Sequence, residues 1–107
     1  MIDLIEEAAV LQNFLEAKGW DFFFIGGLAV QVWGEPRLTQ DIDLTVFTNL
    51  RDETKYIEGF LGIYTPKFSD AKSFALTNRV LPMFTKTGIG IDVTLGGISD
   101  ISEALRR

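Results

Sequence analysis

The chain contains no cysteine and no histidine. Without thiols there is no disulfide framework, no cysteine-ligated zinc and no cysteine nucleophile. Without imidazole there is no Ser-His-Asp triad, no histidine general base and no histidine-ligated metal. Basic residues are also in short supply: 10 Lys and Arg stand against 15 Asp and Glu, a net charge of −5. That balance excludes a free-standing DNA-coating protein, which needs a surplus of cations, but it does not exclude binding a single nucleotide. No apolar run reaches the roughly 18 residues that a membrane span requires, and no charged leader precedes a signal-like stretch. The expectation is a cytoplasmic protein with no membrane partner. Carboxylate is what remains for acid-base or metal chemistry, with lysine and tyrosine as minor options.

What is present suits one domain, residues 1–107, with 47% hydrophobic and 12% aromatic residues. A chain of this length closes a core unaided. Leu4, Ala8, Leu11 and Leu15 recur at helical spacing and predict a helix over 3–18. Asp3 and Glu6 resemble a capping box at its start, and Gly19 is placed to stop it. Phe22 to Ile25 is wholly apolar and predicts a buried strand running into the Gly26-Gly27 turn, with a short helix over 28–33 after it. Asp41 to Phe47 alternates, with Ile42, Leu44 and Val46 on one face and Asp41, Asp43 and Thr45 on the other. A helix over 49–60, loosened by Gly59 and Gly62, a loop over 64–71 and a short helix over 71–77 follow. Val80 to Phe84 and Ile89 to Leu95 predict a hairpin through Lys86-Thr87-Gly88, with Pro82 marking an edge strand or a bulge. A last helix is expected over 100–107. Trp20, Trp33 and the nine Phe read as core. The hairpin rules out a wholly parallel sheet, so the expected class is α+β, a small mixed sheet flanked by helices.

Two features carry chemistry. Gly26-Gly27, between a strand and a helix, lets backbone approach an anion at a helix N-terminus, although taken alone it is better explained by plain turn geometry or close helix-on-strand packing. The second is Asp41-Ile42-Asp43 with Asp92 in Gly90-Ile91-Asp92-Val93-Thr94. Residues two apart on a strand share a face at about 6.5–7 Å, given a rise of ~3.3 Å per residue. Asp92 has the same parity as Asp43 relative to its aliphatic neighbours. If the two strands are neighbours, three carboxylates meet on one polar patch. Like charges so placed repel, and Asp is a poor strand former, so stability alone does not select them. A hard divalent cation supplies the missing charge, and two ions ~3.5–4 Å apart can hold both oxygens of an in-line displacement. The competing reading is a solvated strand face. Arg37 could pair with a triphosphate or with a neighbouring Asp, and Thr39 could brace the turn or a phosphate. Arg79, Lys72 and Lys86 read as surface cations.

Phe24-Ile25-Gly26-Gly27-Leu28-Ala29-Val30, then Gly34, Arg37, Thr39 and Asp41-Ile42-Asp43-Leu44, with Asp92 downstream, resembles the signature of the polymerase-beta-type nucleotidyltransferase superfamily. The Gly-x-x-Arg-x-Thr-x-Asp-x-Asp form is most similar to the branch of abortive-infection toxin type nucleotidyltransferases, proteins of bacterial toxin-antitoxin systems, and related bacterial proteins. The resemblance spans residues 22–95. It implies a minimal domain of nucleotidyltransferase fold that moves a nucleoside monophosphate from an NTP to an acceptor, an RNA, a protein or a small molecule, with release of pyrophosphate. By the same resemblance Asp41 and Asp43 would hold two Mg²⁺ (or Mn²⁺) ions, and Asp92 would bind the catalytic ion and help activate the acceptor. Gly26 and Gly27 would lie against the triphosphate, with Arg37 and Thr39 assisting. Gly27 stands where many relatives carry serine. Relatives usually continue into a helical region, whereas fifteen residues follow Asp92 here, so a partner protein supplying that region is one expectation. The alternative is a catalytically silent nucleotide- or metal-binding regulatory module of the same fold. A plain assembly subunit is a third, weaker option.

Overall fold

The structure is a computed structural model that describes residues 2–25, 41–48 and 52–96. The glycine turn, the short helix expected after it and the expected C-terminal helix lie outside the described residues. The elements in chain order are α1 (Ile2–Lys18), β1 (Phe22–Phe24), β2 (Ile42–Phe47), α2 (Glu53–Leu61), β3 (Thr65–Pro66), α3 (Ala71–Asn78), β4 (Val80–Phe84) and β5 (Gly90–Gly96). Five strands form one sheet in the order β1-β2-β5-β4-β3. Only β2 and β5 run parallel; every other pair is antiparallel. The domain is therefore α+β with a mixed sheet, as the sequence predicts. Among the described residues, no helix is long and apolar enough to cross a membrane.

Alternation decides which face of the sheet is dry. Ile42, Leu44 and Val46 of β2 lie beside Ile91, Val93 and Leu95 of β5, and Leu81 and Met83 of β4 complete the same face; all are buried. Leu4, Ala8, Leu11 and Leu15 of α1, Tyr56, Ile57 and Phe60 of α2, and Ala71 and Ala75 of α3 belong to the same core. The expected α1 stripe is thus the buried one. At its end Gly19 takes φ +72°, with hydrogen bonds from Gly19 N–H to the Glu16 carbonyl and from Trp20 N–H to the Leu15 carbonyl. This is a left-handed stop of the kind glycine favours. It delivers Trp20 into an aromatic cluster with Phe14, Tyr56 and Phe60. Gly59 makes room for that indole: a Cβ there would stand 2.7 Å from its Cη2 atom. Gly59 serves this packing rather than loosening the helix.

Several expectations need correction. β1 is an edge strand, not a buried one: Phe22 and Phe24 pack on the core, while Phe23 and Ile25 are exposed. An all-apolar run hides that difference, because each strand residue meets only one face. Nor are all the phenylalanines core. Phe23, Phe68, Phe74 and Phe84 are exposed, and they satisfy one another or a neighbour at the surface, Phe68 on Phe74 and Phe23 on Phe47. The loop expected over 64–71 contains β3. Pro82 sits in neither an edge strand nor a bulge but pairs in register with Asp92, with β3 and β5 on either side of its strand. The Arg79 carbonyl accepts from Leu95 N–H of β5 and Thr85 N–H donates to the Ile89 carbonyl just before β5, whereas the Pro82 carbonyl accepts from Lys67 N–H on the β3 side. Its imide nitrogen faces that same side, so no bond to β5 is lost.

Candidate functional site

The register of β2 on β5 settles where the acidic residues fall. Asp43 is the pairing partner of Asp92, and Thr45 of Thr94, on the sheet face opposite the core. Neighbouring strands lie ~4.8 Å apart, so the two aspartates spring from adjacent points of the sheet. Asp41 stands just before β2, level with Gly90, the residue before Ile91 in that register. A Cβ on Gly90 would overlap the Asp41 carboxylate and come within 3.0 Å of Lys67 Nζ. Glycine at position 90 is therefore what lets Asp41 fold over β5 toward Asp92. The edge strand fixes the other side, through a 2.8 Å hydrogen bond from Ile25 N–H to the Asp43 carbonyl.

The electrostatics follow from this crowding. Burial, then the charges of Asp92 and Asp41, raise the Asp43 pKa above its ordinary 3.8, against an opposing pull from Lys67. Lys67 Nζ lies 3.4 Å from Asp92 Oδ1 and 3.6 Å from Asp41 Oδ2. It also lies 5.4 Å from the centre of the Phe84 ring. Both carboxylates stay reachable, with side chains 43% (Asp41) and 36% (Asp92) exposed against 22% for Lys67. Sequence reasoning missed Lys67. It follows a two-residue strand with no periodicity, and nothing in its neighbourhood signals that β3 carries it to Asp92.

The structure thus brings together Asp41, Asp43 and Asp92, whereas Gly26, Gly27, Arg37 and Thr39 lie outside the described residues. Two of the other cations are engaged elsewhere. Lys72 pairs with Glu58 at 2.8 Å. Arg79 is no mere surface cation: it donates to Glu53 at 2.7 Å and to the Leu95 carbonyl at 2.8 Å. The tyrosines are withdrawn too. Burial raises both pKa values, that of Tyr64 to about 12 with a contribution from Glu7, so neither offers a proton acceptor at neutral pH.

Three carboxylates on one patch are a hard oxygen donor set, the chemistry that Mg²⁺ or Mn²⁺ takes. The donor type fits such an ion. The side-chain arrangement is not a ready-made cage: among the described residues no group of three or more acidic side chains is gathered to hold a metal, and two of the three here turn to Lys67 instead. No family model, curated protein or solved structure matches the chain.

Proposed function

We propose that the chain is a metal-dependent nucleotidyltransferase that moves a nucleoside monophosphate from an NTP to an acceptor. The observation that carries this reading is the in-register pairing of Asp43 with Asp92 on parallel strands, with Asp41 beside them. A fold selected for stability alone has no use for that juxtaposition, whose repulsion adds to burial in raising the pKa of Asp43. In the proposed reaction an acceptor hydroxyl gives up its proton to solvent as its oxygen bonds to the α-phosphorus, the bond from that phosphorus to the α–β bridging oxygen breaks, and pyrophosphate leaves. Asp41, Asp43 and Asp92 would hold the divalent ions, which when bound would neutralise charge on the triphosphate. Asp92 would also orient the acceptor hydroxyl. Gly26, Gly27, Arg37 and Thr39 would contact the triphosphate, as the sequence resemblance implies. Such transfer is mostly positioning and charge neutralisation, which suits a site made of carboxylates without histidine or cysteine.

One observation favours the alternative, a nucleotide- or metal-binding module without turnover: Lys67 already supplies positive charge to two of the carboxylates. The two readings separate on incubation with each α-labelled NTP, Mg²⁺ or Mn²⁺, and cell extract. Label transferred by the parent protein and absent with Asp43→Asn supports the transferase. Nucleotide binding with no label transferred and no pyrophosphate released supports the module.

A further inference from the structure

We propose that Lys67 is a built-in counter-cation of the carboxylate site that yields its place to the divalent ion. The proposal rests on the reading that these carboxylates bind metal. The backbone of Lys67 is pinned, its N–H donating to the Pro82 carbonyl at 3.0 Å. Its ammonium is not: it spans Asp92 and Asp41 at 3.4 and 3.6 Å, longer than a tight charge-assisted hydrogen bond. It therefore bridges two carboxylates without being locked onto either, and the face of the Phe84 ring beside it offers a second resting place for a cation. Gly90 leaves the opening that Asp41 and Lys67 share. A cation seated between two carboxylates occupies the charge position that a divalent ion needs. Metal binding must then displace the ammonium, and the affinity measured is the difference between the two.

The consequence runs against ordinary expectation for a site residue, because removing Lys67 strengthens metal binding. Titration of the full chain with Mn²⁺, following free Mn²⁺ by electron paramagnetic resonance, reads this without any nucleotide or acceptor. Lys67→Gln should bind Mn²⁺ roughly two- to tenfold more tightly than the parent, the worth of two exposed ion pairs. Lys67→Arg keeps the charge and should stay near the parent. Lys72→Gln removes an equal charge from the Glu58 pair and controls for the overall field. Melting adds a second readout: without metal Lys67→Gln should melt below the parent, and saturating Mn²⁺ should close the gap. Unchanged or weaker Mn²⁺ binding by Lys67→Gln, beside a parent that binds, overturns the role of Lys67 and leaves the metal site standing. A parent and Lys67→Gln that both fail to bind Mn²⁺ overturn the metal site itself, and the role of Lys67 with it.

Discussion

Arg79 shows how much one side chain organises. It ends α3 in the left-handed region at φ 61°, a conformation costly for a residue with a Cβ. Its contacts offset that cost: backbone hydrogen bonds to Ala75 and Leu95, and a guanidinium shared between the Leu95 carbonyl and Glu53. The end of β5 and the start of α2 are thereby tied to one residue. Arg79→Ala should lose about 1.5–3 kcal/mol in chemical denaturation, the range for hydrogen bonds to charged groups. Lysine should not restore it, since it lacks the planar fork. The hydrogen bond from Arg79 holds the Glu53 pKa below its ordinary 4.5. A depressed carboxylate stabilises the fold above its unfolded pKa and ceases to as pH falls through the folded one. The acid limb of the stability curve should accordingly flatten in Glu53→Gln. Gly90 gives the opposite case. Gly90→Ala places a methyl where the Asp41 carboxylate lies, yet the obstructing atoms are the ends of side chains. Stability should change by less than about 1 kcal/mol, because alanine also relieves the cost of glycine in a strand. Divalent-ion affinity should fall clearly, and a variant binding Mn²⁺ like its parent would remove Asp41 from the site.

At the scale of elements, the legible parts were those with a period. The α1 stripe, the alternations of β2 and β5, and the shared parity of Asp43 and Asp92 were all readable, because a buried face fixes register. Sequence stated the pairing of β2 with β5 only as a condition, since parity is silent on which strands are neighbours. The hidden parts had no period. β3 is two residues long, β1 is apolar on both faces though only one is covered, and Lys67 reaches the site through tertiary placement alone. Gly59 was misread for a similar reason, as its partner Trp20 is distant in sequence. Helix propensity favours alanine over glycine by roughly 1 kcal/mol, but overpacking costs about 1–3 kcal/mol. With Trp20 pressed to 2.7 Å of the new Cβ, Gly59→Ala should destabilise on balance. Urea titration monitored by tryptophan fluorescence checks this, and a stabilised variant would show that the indole moves aside freely.

Across the whole molecule, the sheet divides the labour. Among the described residues, one face carries the apolar core with α1, α2 and α3; the other carries the Asp and Thr residues of β2 and β5. The core can thus be stable while the acidic face carries repulsion. Asp43→Asn exposes that trade. A carboxylate whose folded pKa is raised costs stability when ionised, so neutralising it should stabilise the metal-free protein at neutral pH. That gain should fade as pH falls through the raised folded-state value and be gone below 3.8, where the carboxyl is protonated in both states. Asp92→Asn lacks so clean an outcome, because Asp92 also attracts Lys67.

Melting of the parent protein and Asp43→Asn, each with and without Mn²⁺ and NTP, tests metal and nucleotide binding at the carboxylates without an acceptor. Ligand that binds only the folded state stabilises it by about 2.7 kcal/mol at a hundredfold excess over Kd. For a domain of this size each 1 kcal/mol moves Tm by roughly 4–8 °C. A carboxylate site that binds metal and nucleotide gives a rise of that order in the parent, and an Asp43→Asn protein that melts higher than the parent without metal but gains little from metal and nucleotide. A parent whose Tm does not move with Mn²⁺ and NTP, or an Asp43→Asn variant that gains as much as the parent, would contradict that reading.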